Sequence, residues 1–157
     1  MFNFILVLML VGVGSLFESI FSHCQIPCGI YDDKVRFTLL QENITTLEKS
    51  IKQIGELSME SQKNMNQIVR WTLNKDEQAD EFAHVVLYYF LQQRVKPVEE
   101  TDKKKYETYT RELMLLHRLL VHAVGIKQTT EAFHIDNLKR YLGEYEKIYM
   151  ERINQSK

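Results

Sequence analysis

Proline occurs twice in the 157 residues, cysteine twice and glycine six times, and neither sign of charge is in excess, with 20 Lys and Arg against 21 Asp and Glu. So little proline and glycine excludes collagen-like repeats and flexible linkers. At 45% hydrophobic and 26% charged residues, the chain is rich enough in apolar side chains to bury the core of one globular domain. The net charge of -1 provides no general electrostatic pull on nucleic acid or anionic lipid, so neither is an expected partner. Two cysteines are too few for a disulfide-dense mini-fold or a four-cysteine zinc site. Strand-like alternation of useful length is missing, as are internal repeats and low-complexity tracts.

What is present divides at about residue 22. Phe4 to Val11 is a continuous apolar run, followed by Gly12, Gly14 and Ser15, and Glu18 is the only charge among residues 1–22. The run is shorter than the roughly 20 apolar residues of a membrane span but fits the core of a signal peptide. A cut after Ser22 places a small residue before the scissile bond, although no Lys or Arg precedes the apolar core. A pro-segment removed by a dedicated protease and an uncleaved anchor are the other readings. Export to a lumen and a cytoplasmic location therefore both stay open. Removal of residues 1–22 leaves 135 residues, with all five histidines, both cysteines and His23 as the first residue.

Between Asp32 and Lys157 the only proline is Pro97, which leaves most of the body free to be helical. Leu40, Ile44, Leu47, Ile51 and Ile54 alternate spacings of four and three, one buried face of a first helix that Asp32 or Asp33 caps and Gly55 closes. A second helix starts near Ser58 and places Met65, Ile68, Thr72, Ala79, Phe82, Val86 and Tyr89 on its stripe. Lys75 and Asp76 interrupt that stripe, facing an opening or another subunit. Thr101 caps a third helix with Tyr106, Tyr109, Leu113, Leu116 and Leu120, and Gly125 lies near its end. Thr129 or Thr130 starts a fourth with Leu138, Tyr141, Tyr145 and Ile148. Short connections make consecutive helices antiparallel, so the expected fold is all-α, an up-and-down four-helix bundle over residues 32–157.

Ahead of the helices stands His23-Cys24-Gln25-Ile26-Pro27-Cys28-Gly29-Ile30-Tyr31, which contains both cysteines. After a cut at Ser22, His23 offers a free amine and an imidazole, and Cys24 offers a thiolate and its amide nitrogen. Cys28 brings a second thiolate if Pro27 and Gly29 turn the chain back. Two nitrogens and two thiolates in a plane suit divalent nickel or copper better than zinc, which prefers a tetrahedron, and the imidazole can bind above the plane. A Cys24–Cys28 disulfide in a secreted helical interaction protein, and an incidental zinc hook, are the rival readings.

His-Cys-x-x-Pro-Cys-Gly-x-Tyr at a processed N-terminus resembles the metal hook of the nickel superoxide dismutases, at His23, Cys24, Pro27, Cys28, Gly29 and Tyr31. The resemblance implies a four-helix bundle assembled into a homohexamer over residues 23–157. It also implies one nickel ion per subunit, bound by His23, Cys24 and Cys28, and disproportionation of superoxide to dioxygen and hydrogen peroxide. No stable membrane association follows removal of the leader. Tyr31 is expected beside the open axial face, where its hydroxyl orders water and restricts access to small anions. The family's supports for the axial imidazole, a glutamate early in the first helix and an arginine on the second, fall roughly at Thr38 or Leu39 and at Gln78. That support is therefore absent or replaced.

The remaining candidates have plainer readings. His84, His117, His122 and His134 are surface or core histidines; His117 and His122, five apart, do not share an α-helical face. Trp71 and the tyrosines at helical spacing are core. Lys103, Lys104 and Lys105 form a solvated helix start, and the sequons at Asn43 and Asn154 matter only on a secretory route.

Overall fold

The structure, a computed structural model, describes residues 33–155, and all of these that are regular are helical, with no strand among them. Helix α1 is Lys34–Ser58 and α2 is Ser61–His84, which runs without a break into a π-helical continuation, Val85–Arg94. Helix α3 is Lys103–Gln128 and α4 is Phe133–Gln155. Each helix packs on its sequence neighbours and α1 also packs on α4, which closes the expected up-and-down bundle.

The period-of-seven stripe of α1 is buried as expected, with Leu40 and Leu47 fully covered and Ile44 and Ile54 nearly so. Against it lie Phe82, Val86 and Phe90 of the second helix, Leu115, Leu116, Leu119 and Ile126 of α3, and Leu138, Leu142 and Tyr145 of α4. Burying each of these side chains contributes about 1.5–3 kcal/mol relative to leaving it in water. None of the helices among the described residues is long and apolar enough to cross a membrane.

Several local expectations shift. Gly55 does not end α1, which continues three residues further before Met59 closes it with its N–H on Glu56 and Leu57 carbonyls. Asp102, rather than Thr101, caps α3 by accepting the Lys105 N–H at 3.3 Å. Met65, expected on the buried stripe of α2, is 54% exposed, in a stretch of that helix, residues 61–72, where no side chain is fully buried. Lys75 faces no opening. It is buried, and its ammonium donates to Asp76 Oδ1 (2.8 Å), Ile126 O (2.5 Å) and Lys127 O (3.0 Å), so it caps the last turn of α3. Asn43 is buried too, donating to Gln78 Oε1 at 3.0 Å, which leaves no room for a glycan in the folded state.

Candidate functional site

The residues expected to form the site, His23, Cys24, Cys28 and Tyr31, lie outside the described residues, as do the leader and Asp32. Among the described residues no group of three or more His, Cys, Asp and Glu side chains could hold a metal ion. Both cysteines of the chain stand at positions 24 and 28, so thiolate donors exist nowhere else. The donor chemistry of residues 23–28 thus fits a thiophilic ion, and the helices offer it no rival.

The described chain begins at Asp33, and Asp33 anchors a half-buried polar network. An aspartate at this helix-start position ordinarily accepts an amide N–H of the first turn. Here it makes no such bond. Its carboxylate instead accepts the Tyr89 hydroxyl, the Tyr149 hydroxyl at 2.8 Å and the Arg94 guanidinium at 3.2 Å. Arg94 also donates to Tyr89 Oη at 2.8 Å and lies 4.7 Å over that ring, while Arg36 lies 4.9 Å from the same ring centroid. Arg152 donates to the Arg94 carbonyl at 3.3 Å and to Glu112 at 3.0 Å. The network therefore draws on all four helices: Asp33 from α1, Tyr89 and Arg94 from the π-helical continuation, Glu112 from α3, Tyr149 and Arg152 from α4.

The π-helical stretch explains how Tyr89 and Arg94 meet. In an α-helix, residues five apart point about 140° away from each other. With hydrogen bonds running to the fifth residue, as between the Val95 N–H and the Phe90 carbonyl at 3.1 Å, they lie over one another. Beneath the network sits an aromatic layer of Phe37, Phe90, Tyr145 and Tyr149, with ring centroids 4.8–5.9 Å apart.

Burial and the Asp33 charge push the Tyr149 phenol well up, and burial is also the main cause of the rise at Tyr89. Both hydroxyls therefore stay protonated as donors at neutral pH. Burial raises Glu112 as well, against the opposing pull of Arg152. The Tyr145 hydroxyl is buried without a hydrogen-bond partner among the described residues.

Thr38 and Gln78, the positions set against the family's axial supports, are engaged elsewhere. Thr38 donates to the Lys34 carbonyl of its own helix at 3.1 Å, and Gln78 joins Asn43 and Glu81. His117 and His122 do not pair. His122 meets His134 across α3 and α4, with Nδ1 to Nδ1 at 2.9 Å, a contact between helices that no periodicity announces. Burial first, then His134, Arg140 and Arg118, hold His122 below its ordinary range. Two imidazoles flanked by two guanidiniums, with no carboxylate in the group, form a structural hydrogen bond between helices.

The family model for nickel-containing superoxide dismutase matches residues 18–152, a span that includes all of residues 23–31 and the four helices almost to their end. No curated protein and no solved structure matches the chain.

Proposed function

The chain belongs to the nickel-containing superoxide dismutase family, which makes it a nickel-dependent oxidoreductase acting on superoxide, and we propose that residues 23–31 hold the nickel once the chain is cut after Ser22. The observation that carries the proposal is the nine-residue segment itself, lying inside the matched span and containing every cysteine of the chain.

In this reading the α-amine and imidazole of His23, the amide nitrogen and thiolate of Cys24 and the thiolate of Cys28 would hold the ion. When bound, nickel would supply one-electron redox chemistry through a cycle between its divalent and trivalent states. The chain's part is to make that cycle reachable. Two thiolates and an anionic amide raise electron density at the ion, which hydrated nickel lacks. Two superoxide ions and two protons yield one dioxygen and one hydrogen peroxide, so the protein must also admit protons. Tyr31 would order water beside the ion and restrict access to small anions. One nickel per chain and a homohexamer complete the proposal, both from likeness to the family.

The cut is essential to this reading, because before hydrolysis the His23 nitrogen is a peptide amide with no basic lone pair. Intact-mass spectrometry of the mature protein is expected to find His23 first, and elemental analysis one nickel per chain. A mature chain that starts elsewhere refutes the donor set. Cys24→Ser and Cys28→Ser are each expected to abolish dismutation while leaving the helical circular dichroism unchanged.

A further inference from the structure

We infer that the polar cluster around Asp33 serves the metal-binding segment: Asp33 is a positioning residue, locked by Tyr89, Arg94 and Tyr149, that fixes the start of the helix to which residues 23–31 are joined in sequence. The inference rests on the assignment of nickel to His23, Cys24 and Cys28 proposed above.

Three features of the described residues point this way. Asp33 holds a capping position yet gives its carboxylate to three donors from two other helices, so the start of α1 is tied across the bundle rather than to its own first turn. The second helix leaves α-geometry over Val85–Arg94, and Tyr89 and Arg94 converge there. Arg94 is itself held at its carbonyl by Arg152, whose guanidinium is fixed by the buried Glu112. These ties hold the start of α1 against fraying.

Asp33 is the fifth residue after Cys28, a tether of at most ~18 Å when fully extended. Binding a metal through several donors of one short segment orders each residue of that segment, at an entropic cost. A base already fixed removes part of the cost, so the clamp raises nickel affinity without touching the ion.

The test compares mature wild-type protein, stripped of metal, with Asp33→Asn, Arg94→Met and Tyr149→Phe. Nickel(II) affinity is measured by competition with a chelator, at a temperature where every variant keeps wild-type helicity. The dissociation constant is expected to rise at least tenfold for Asp33→Asn and Arg94→Met and by a smaller factor for Tyr149→Phe. Iodoacetamide is expected to alkylate both cysteines of the metal-free variants faster than those of the wild type. An Asp33→Asn constant within twofold of wild type overturns the inference. Should Asp33→Asn not fold, Tyr149→Phe keeps the ring packing and decides the question by the same measurement.

Lys75→Met is the control, since Lys75 lies roughly 20 Å from Tyr89 along the second helix. It is expected to lose thermal stability and keep the wild-type constant. If its constant rises as much as that of Asp33→Asn, the cluster acts only through global stability and the inference fails. If the wild type takes up no nickel, the donor assignment itself fails and the inference falls with it.

Discussion

Gly125 is the position where the smallest change tests the largest piece of packing. It lies three residues before the end of α3 and is buried against the imidazole of His134. A methyl group there would stand 2.6 Å from both ring nitrogens and closer still to Cε1, against 3.4 Å for ordinary contact. The ring has little freedom to retreat. His134 is bonded to His122 at 2.9 Å and packs on Phe133 with ring centroids 4.0 Å apart. Gly125→Ala gains about 1 kcal/mol of helix propensity. It loses about 1–3 kcal/mol to overpacking, and a further ~1–2 kcal/mol if the His122–His134 bond breaks and leaves a half-buried ring nitrogen unpaired. The net expectation is a destabilisation of about 1–3 kcal/mol in urea unfolding of the mature protein. Gly143→Ala is the contrast, because nothing lies within 4 Å of the new methyl on α4, and a stabilisation of about 0.5–1 kcal/mol is expected. The double variant Gly125→Ala/His134→Ala is expected to be more stable than the sum of its two single changes, because the colliding ring is gone. If Gly125→Ala alone stabilises the protein, the reasoning from the His134 contact is wrong.

His122 sets a pH dependence. Its ring is held below the ordinary value of 6.5, so as pH falls through 6.5 the unfolded chain takes up the proton first, and stability declines until the folded-state value is passed. The slope in that window is at most about 1.4 kcal/mol per pH unit, and His122→Gln is expected to flatten it. The raised Glu112 works in the opposite sense at lower pH, gaining stability as pH drops toward 4.5, and cancels when the variant is compared with wild type. Lys75→Met removes the donor to the Ile126 and Lys127 carbonyls and is expected to cost about 2–3 kcal/mol by thermal unfolding, with dismutation per bound nickel unchanged. Tyr145→Phe removes a hydroxyl that has no partner among the described residues, so stability is expected to hold or rise by about 1 kcal/mol. A clear loss in calorimetry would show that the hydroxyl is hydrogen-bonded in the folded protein.

The bundle was legible because hydrophobic periodicity is a local signal. Leu40, Ile44 and Leu47 announce their buried face within eight residues, and the structure buries all three. The errors fall where a local rule met a distant partner. Met65 obeys the stripe of its helix and is exposed all the same, because periodicity marks a face without saying whether another helix covers it. Lys75 broke the stripe and read as a polar opening. The carbonyls that neutralise it lie more than fifty residues away, at the end of α3. Helix ends moved by a few residues because Gly55 follows ordinary helical geometry, and a glycine ends a helix only where the backbone turns left-handed.

The proposed donors, His23, Cys24 and Cys28, lie outside the described residues; they stand out as candidates because they are close in sequence and their chemistry depends on residue type and order more than on fold. The cluster at Asp33 has neither advantage. Its partners stand 56, 61 and 116 residues from it, and its one local pair, Tyr89 with Arg94, is spaced by five, a separation that α-helical reasoning dismisses. The same rule correctly kept His117 from His122 in α3, where the backbone stays α-helical. It failed at Tyr89 only because the second helix widens there. The sign of the π-helix in sequence is weak, since Val85 to Arg94 is an apolar, aromatic run with no Gly or Pro to mark a change of pitch. That widening and the forgone cap at Asp33 are both local losses, accepted at the end of the bundle from which residues 23–31 depart. Local losses kept together in one place require a compensating gain there. A fixed base for the segment proposed to bind nickel would supply it, and the nickel affinity of Asp33→Asn measures how much.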